Sequence, residues 1–319
     1  MRFGSARRGY LVVTAVLVLV PLGGCRADEH TALPRAERAT TSPARETDPP
    51  ATAPAVVREL DRLEAEFDAR LGVYAVDTGS GRTIEHRADE RFAFASTFKA
   101  LAAGALLARA APADLSRTIS IAASDLQPNS PVTERHVGEG MPLRDVLAAA
   151  VRYSDNTAAN LMFAELGGPA GLEKDLRDLG DRVTEIDRVE PALSEARPGD
   201  KRDTTTPRAF AADIRSYVLG DVLPVDDRAL LTGWLRTNLT GDELIRAGIP
   251  AGWVVGDKTG TGGYGTRNDI AVVWPPRRAP IVLAIMSSRD EADAPHDNAL
   301  IARAARTTVM ALSSRPAPR

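Results

Sequence analysis

The stretch Pro250–Pro276, PAGWVVGDKTGTGGYGTRNDIAVVWPP, decides the fold of this chain. Its β-branched and aromatic residues predict strands over Trp253–Thr259 and Asp269–Trp274, and another strand signal follows at Ile281–Ser287. The first strand leads into the motif KTGT, Lys258–Thr261, and the glycines after it allow a ligand to come close to the backbone. A hairpin turn with an exposed lysine is the simpler interpretation, so this motif needs support from elsewhere.

Strand signals also occur near the other end of the chain. Leu71–Asp77 and Arg82–His86 flank the turn sequence TGSG, which predicts a hairpin. Helices are predicted over Val56–Arg70 and from about Asp297 to Leu312, and Phe94–Trp234 has the pattern of helices joined by polar loops. This order predicts an α/β fold, with one antiparallel sheet built from both chain ends, flanked by helices, and an inserted all-helical subdomain. We expect a site in the cleft between the two parts.

The composition limits the function classes. The chain has 319 residues, of which 44% are hydrophobic, and a net charge of −3 with acidic and basic residues interspersed. A chain of this kind can bury a sizeable core, but it offers no basic face to neutralise phosphates. Nucleic acid is therefore not an expected partner, whereas small neutral or anionic ligands are.

The N-terminus has the features of an export signal. Arg2, Arg7 and Arg8 precede the apolar run Leu11–Leu22, which is too short to span a bilayer as a mature helix. Two glycines and Cys25, the only cysteine of the chain, follow this run and resemble a bacterial lipobox. We expect a signal peptide over residues 1–24 and acylation of Cys25; the alternative is an ordinary cleaved signal with an incidental cysteine.

The segment after the signal is expected to be a tether. Between the lipidated Cys25 and residue 54 the chain consists mainly of Ala, Thr, Pro, Arg, Glu and Asp, with almost nothing large and apolar to bury. Such a composition predicts a flexible linker. The protein is therefore expected at the outer face of the cytoplasmic membrane, touching the membrane only through its lipid, or released from it.

A serine and a lysine stand at the head of the apolar stretch ASTFKALAAGALLARA. Ser96 and Lys99 would share one helix face within about 6 Å of each other, near an N-terminus that favours negative charge. The chain has only four lysines among its 40 basic residues, and Lys99 and Lys258 are two of them. Lysine, unlike arginine, can lose its proton and act as a base. A helix-capping serine with a snorkelling lysine is the alternative interpretation.

A third motif, Ser154-Asp155-Asn156, follows a helical pattern that ends near Tyr153. A hydroxyl and an amide at this place could pass on a proton and hold a substrate amide. Taken alone, the same residues are typical of helix capping. Only the combination of the three motifs carries a functional interpretation.

The three motifs stand in the order and at the spacing found in class A β-lactamases and penicillin-binding proteins. From about Val56 to Leu312 the sequence resembles a class A serine β-lactamase, and the likeness extends to SPVTERH, SDNTAANL and KRDTTTP. The resemblance implies a monomer without a cofactor that acts on small-molecule β-lactams. It also implies one domain over residues 55–314, with a sheet part at 55–93 and 240–314 and a helical part at 94–239.

A long polar loop distinguishes hydrolases from transpeptidases in this superfamily. The segment Asp187–Asp203, DRVEPALSEARPGDKRD, resembles the class A omega loop. By this resemblance Glu190 activates the deacylating water, Pro191 follows it, often across a cis bond, and Arg188 and Asp203 pair at the neck of the loop. A solvated glutamate in a surface loop is the alternative interpretation.

The resemblance also assigns the chemical steps. Ser96 attacks the β-lactam carbonyl, activated by Lys99 or by Glu190 through water, and Ser154 passes a proton to the leaving nitrogen. The oxyanion hole consists of the backbone N–H groups of Ser96 and Thr261.

Other residues are expected to bind substrate or support the site. Asn156 holds the side-chain amide of the substrate, and Asp155 is structural. The group expected to bind the substrate and its carboxylate is Lys258, Thr259, Gly260, Thr261 and Arg267.

Two expected substrate-binding positions depart from the family pattern. Ser194 stands where many members have an asparagine that helps to position the hydrolytic water, so slower deacylation of some substrates is expected. Asn129 stands where an aromatic residue often lines the cleft wall, and its presence removes a stacking surface.

Metal catalysis is not expected. The histidines are scattered without ligand spacing, and the cysteine lies in the export segment; they are His30, His86, His136 and His296. Two alternatives to β-lactam hydrolysis remain, a D-alanyl-D-alanine peptidase and a non-hydrolytic β-lactam-binding lipoprotein. The peptidase would share the three motifs but gives no reason for Glu190 in the loop, whereas a receptor would form a long-lived acyl-enzyme without multiple turnovers.

Overall fold

The computed structural model describes residues 53–314. The signal peptide, Cys25 and most of the linker predicted from the sequence lie outside the described residues. No helix among residues 53–314 is long and apolar enough to cross a membrane.

One five-stranded antiparallel sheet contains strands from both ends of the described chain. Its strands are β1 Arg70–Asp77, β2 Thr83–His86, β7 Val254–Thr261, β8 Arg267–Trp274 and β9 Ile281–Ser288. They lie in the order β2-β1-β9-β8-β7. Full-length pairing of β1 with β9 joins the N-terminal hairpin to the C-terminal strands. This arrangement confirms the predicted fold class.

Helices cover both faces of the sheet. They are α1 Ala53–Phe67, α2 Phe98–Arg109, α3 Leu143–Tyr153, α4 Asn156–Leu166, α5 Pro169–Leu179, α6 Pro207–Leu219, α7 Val225–Arg236, α8 Ile245–Gly248 and α9 Asn298–Ser313. Helices α2 to α8 lie between the N-terminal and C-terminal strands of the sheet in the sequence. Glycines with positive φ follow α4 and α5, where a left-handed residue ends the helix at low steric cost.

The sequence predicted an all-helical inserted region, but the structure shows that this region also contains short strands. Two short strand pairs occur around it, β3 Phe92–Ala93 with β6 Thr204–Thr205, and β4 Thr118–Ile119 with β5 Met141–Pro142. Strands of two residues have no hydrophobic period to detect, and they form because buried backbone groups need hydrogen-bond partners. The pair β3–β6 lies directly after the polar loop and holds its C-terminal end.

The core has two parts, one on each face of the sheet. Along β8, Ile270 and Val272 face the inserted helices, whereas Ala271 and Val273 face α1 and α9. Burial on both faces explains why these strands are continuous apolar runs rather than alternating ones. The rigid sheet fixes the position of the KTGT segment at the end of β7.

Two buried carboxyl groups connect α6 with the chain after α5. Burial raises the pKa of Asp213 well above its ordinary value, and the negative charge of Asp181 adds to the effect. Asp181 accepts hydrogen bonds from the N–H groups of Val183 and Thr184, at 2.7 and 3.1 Å, and the positive charge of Arg177 opposes the shift of the Asp213 pKa. Burial and the neighbouring carboxylate therefore both favour the protonated form of Asp213 in the folded protein.

This proton predicts the pH dependence of stability. Because the folded pKa of Asp213 is raised, folding takes up a proton and stability falls as pH rises above about 4. Asp213→Asn should raise the free energy of unfolding by roughly 1–3 kcal/mol near neutral pH, since the amide keeps a donor without a charge to desolvate. Thermal unfolding of both proteins should show this gain at neutral pH and almost none near pH 4; a lower midpoint for the variant at neutral pH would contradict it.

Candidate active site

Ser96 lies in a short 3-10 turn, Ala95–Thr97, that leads into α2. Its Oγ donates to Glu190 Oε1 at 3.1 Å, and Lys99 Nζ lies 3.2 Å from the same oxygen. All three residues are buried: Ser96 is 8% exposed, Lys99 0% and Glu190 2%. The structure thus brings the carboxylate of Glu190, which is distant in the sequence, beside the hydroxyl of Ser96 and the amine of Lys99.

Lys99 is held by two further acceptors. Its Nζ donates to the backbone oxygen of Ser154 at 2.9 Å and to Asn156 Oδ1 at 2.6 Å. Burial lowers the pKa of Lys99, and the charge and hydrogen bond of Glu190 oppose that shift. Burial therefore makes the neutral amine, which can accept a proton, easier to reach than it is in water.

The junction of α3 and α4 presents the Ser-Asp-Asn motif. Ser154 ends α3 with a left-handed backbone, φ 57°, and its Oγ accepts a hydrogen bond from Lys258 Nζ at 3.1 Å. Asp155 caps α4 by accepting from the N–H of Ala158, and it also accepts from the N–H and hydroxyl of Thr133. The capping interpretation and the functional one therefore apply to neighbouring residues of one motif.

The polar loop places Glu190 over Ser96. At the neck of the loop, Arg188 Nε donates to Asp203 Oδ2 at 2.5 Å. The Glu190-Pro191 bond is cis, and Ser194 Oγ donates to Glu190 Oε2 at 2.9 Å. Ser194, the departure noted in the sequence, thus contacts the carboxylate directly.

Asn160 anchors this loop and was not singled out from the sequence. Its Nδ2 donates to the Glu190 backbone oxygen at 2.8 Å, and the Glu190 N–H donates to its Oδ1 at 2.9 Å. Asn160 follows Asn156 by one helical turn, so both face the site. This four-residue spacing from Asn156 was the sequence signal that could have pointed to Asn160.

The end of β7 forms the opposite wall. A Cβ at Gly260 would lie 2.9 Å from the backbone oxygen of Phe94, so glycine lets the strand approach the Ser96 turn. Thr259 Oγ1 lies 2.6 Å from the hydroxyl of Thr240, another residue that was missed. Lys258 Nζ also donates to the Thr259 backbone oxygen at 2.7 Å.

A cleft of about 310 Å³ lies between these elements and brings the predicted residues together. Asn129, with φ 61°, forms part of its wall and donates to the Ser154 backbone oxygen at 3.3 Å. The lining comprises Ser96, Asn129, Tyr153, Ser154, Asn156, Glu190, Pro191, Ser194, Thr240, Thr259, Gly260, Thr261 and Arg267. Lys99 and Lys258 lie buried behind it, and Asp155, Arg188 and Asp203 support it from further away.

Comparison with known proteins identifies the family. Residues 55–312 match the family described as the Beta-lactamase enzyme family. The chain belongs to this family. A curated β-lactamase of Amycolatopsis lactamdurans is 60% identical over 259 residues, which cover 81% of this chain and 86% of the relative.

Solved β-lactamase structures agree with this assignment. A halotolerant bacterial β-lactamase superposes with a TM-score of 0.79 at 54% identity, covering 80% of this chain and 99% of that one. A class A β-lactamase from Clostridium kluyveri DSM 555 gives a TM-score of 0.80 at 43% identity, covering 81% and 98%. These matches confirm the resemblance to class A serine β-lactamases on which the functional interpretation rests.

In this β-lactamase, the charge of Lys258 should depend on pH within the working range. Burial lowers its pKa to about 7, and the nearby charge of Lys99 adds to that shift. The ammonium that can attract a substrate carboxylate is therefore present below about pH 7 and is lost above it. We expect kcat/KM, which reports the free enzyme, to fall by up to roughly fiftyfold between about pH 7 and pH 9, in step with the charged fraction of Lys258.

A pH–rate profile of Lys258→Arg provides the matched comparison, because arginine keeps its charge at these pH values. The alkaline fall in kcat/KM should move to higher pH or vanish in this variant. An identical alkaline fall in both proteins would assign it to another group.

Proposed function

We propose that the chain hydrolyses the amide bond of penicillins and cephalosporins through an acyl-enzyme at Ser96, and thereby gives antibiotic resistance. The supporting observation is that one oxygen, Glu190 Oε1, lies within hydrogen-bond distance of both Ser96 Oγ and Lys99 Nζ. A carboxylate so placed can accept a proton from a water molecule beside an ester at Ser96. That capacity distinguishes a hydrolase from a protein that only captures the antibiotic.

In the acylation step, Ser96 Oγ attacks the β-lactam carbonyl carbon and its proton passes to Lys99, or through water to Glu190. The carbonyl oxygen becomes an oxyanion, and the backbone N–H groups of Ser96 and Thr261 stabilise it. The ring C–N bond then breaks, and Ser154 gives its proton to the nitrogen. Lys258, which donates to Ser154 Oγ, replaces that proton.

In the deacylation step, Glu190 takes a proton from water, and the resulting hydroxide attacks the ester carbonyl. The bond between that carbon and Ser96 Oγ breaks, and the proton returns to the serine. Ser194 and Asn160 hold Glu190 at its side chain and backbone respectively, so the base is fixed before substrate arrives.

Substrate recognition follows from the polar groups of the cleft. Lys258, Thr259, Thr261 and Arg267 provide donors for the carboxylate of the antibiotic, and Gly260 lets strand β7 lie close to the Ser96 turn. Asn156 Nδ2 donates to the Pro128 backbone oxygen and its Oδ1 accepts from Lys99, so the amide is oriented for the substrate side chain. Asn129 offers a polar wall in place of a stacking surface.

A chromogenic cephalosporin tests this function directly. We expect many turnovers per molecule of purified protein, with linear product formation after mixing. A single stoichiometric burst would favour a non-hydrolytic receptor, and activity on a D-alanyl-D-alanine peptide alone would favour a peptidase. The family assignment and Glu190 beside Ser96 favour neither alternative.

We also propose that the β-lactamase domain, 55–314, follows a signal peptide, 1–24, and a linker, 25–54, lipidated at Cys25. The isolated cysteine after two glycines supports this organisation. Cys25→Ser should move the protein from the membrane fraction to the medium without changing kcat of the purified enzyme. Equal membrane association of both proteins would contradict the anchor; a monomer is expected by gel filtration of the released form.

A further inference from the structure

The guanidinium of Arg267 is held by residues from three separate segments. Arg267 begins β8 and lines the cleft, and its Nη1 donates to Thr261 Oγ1. Its Nε donates to Oδ1 of Asn298, the first residue of α9, at 2.8 Å. The Asn298 Nδ2 in turn donates to Oε2 of Glu243 at 2.6 Å.

Glu243 lies in the turn before α8, is exposed, and does not line the cleft. Its position therefore gives it no direct contact with a substrate. It contacts the site only through the amide of Asn298, and this makes the orientation of that amide decisive.

An asparagine amide has two orientations that differ by exchange of its oxygen and nitrogen. Arg267 can only donate, so it needs the amide oxygen, and ionised Glu243 can only accept, so it needs the amide nitrogen. Both demands select the same orientation. Without Glu243, Arg267 alone would select this orientation, and the opposite one, in which two donors face each other, would be less strongly disfavoured.

We propose that Glu243 is a positioning residue for recognition of the substrate carboxylate, because it locks Asn298 in the orientation that holds the Arg267 guanidinium. This inference rests on the proposed function and names a residue that controls one part of it. A fixed planar fork loses less freedom on binding a carboxylate than a mobile one. The effect should therefore appear in substrate binding and not in the chemical steps at Ser96.

Substitutions at Glu243 with different hydrogen-bonding capacities test the orientation argument. Glu243→Gln offers an acceptor and a donor, so it permits both orientations of Asn298, whereas Glu243→Lys offers only donors and selects the wrong one. For benzylpenicillin we expect KM to rise by roughly threefold with Gln and tenfold with Lys, the range of the net contribution of an ordinary hydrogen bond. The kcat value should stay within about twofold of the unchanged enzyme.

The matched control is Asp242→Asn, which removes a carboxylate from the same turn. Asp242 pairs with Arg246 at 3.3 Å and does not contact Asn298, so its KM should stay unchanged. The second control is the methyl ester of benzylpenicillin, which lacks the carboxylate. With this ester, the Glu243 variants and the unchanged enzyme should have equal KM values.

The outcomes separate the two proposals. Turnover of benzylpenicillin with unchanged KM in both Glu243 variants would overturn the positioning role alone. An equal rise in KM for the acid and its methyl ester would also overturn it, because that result indicates a general structural effect. Absence of turnover in the unchanged protein would overturn the proposed function together with this inference. The near-isosteric Gln variant keeps the test decisive if the Lys variant unfolds at a lower temperature.

Discussion

Ser96→Ala should abolish β-lactam turnover, with kcat falling on the order of 10⁵-fold or more, because no other group can form the ester intermediate. Ser96 is the only hydroxyl that the structure places within hydrogen-bond distance of Glu190 Oε1 among residues 53–314. Steady-state hydrolysis of a chromogenic cephalosporin, at high enzyme concentration, measures the residual rate.

Binding should survive this substitution. Alanine removes only the hydroxyl, and the carboxylate-binding groups stay in place, so a saturable substrate-induced fluorescence change should persist. Circular dichroism and the thermal midpoint verify that the variant is folded. Turnover within about tenfold of the unchanged enzyme, from a folded variant, would exclude Ser96 as the nucleophile, since a general acid or base alone contributes about 10²–10⁴-fold.

Glu190→Ala should slow turnover by roughly 10²–10⁴-fold, the range expected for removal of a general base. The loss should fall mainly on deacylation, because Lys99 still lies beside Ser96 and can take its proton during acylation. Rapid mixing with a chromogenic cephalosporin should therefore give a burst of about one equivalent, followed by a very slow steady state.

Glu195→Gln is the control for this experiment. Glu195 belongs to the same loop, but its partly exposed carboxylate contacts Arg188 and Arg197 and not Ser96. It should retain a rate within about threefold of the unchanged enzyme, as expected for an exposed ion pair. An equal loss in both variants would indicate that the loop fold, rather than the carboxylate of Glu190, is required.

The sheet and its flanking helices could be predicted because their signals are local. β8 and β9 are apolar runs, and α1 and α9 carry apolar stripes, so periodicity alone locates them to within a few residues. The short pairs β3–β6 and β4–β5 could not be predicted, since two residues have no period and their pairing depends on distant chain segments.

Residues of the candidate site could be predicted from the sequence only where they belong to a recognisable motif. Ser96, Lys99 and Ser154 stand out by spacing and by the resemblance, and the structure brings them together. Asn160 and Thr240 were missed because they act through hydrogen bonds to the backbone or to another hydroxyl. Such contacts depend on tertiary structure; the four-residue spacing of Asn160 from Asn156 indicates a shared helix face but does not identify its partner.

Electrostatic properties were the least accessible from sequence. The pKa of Lys258 is lowered because this residue is completely buried near Lys99. The pKa of Asp213 is raised because this residue is buried near Asp181. Neither burial nor the neighbouring charge can be read from a motif. The pH dependence of activity and stability is therefore a prediction from the structure alone.

Intact-protein mass spectrometry of Glu190→Ala after mixing with benzylpenicillin tests the central claim most directly. We predict that the protein gains the full mass of the antibiotic, because ring opening leaves both halves attached, and that proteolysis places this adduct on Ser96. The adduct should persist for minutes in the variant and should be barely detectable in the unchanged enzyme, which releases it. An unmodified variant that still hydrolyses the antibiotic at the original rate would contradict the role of Glu190 in releasing an ester at Ser96.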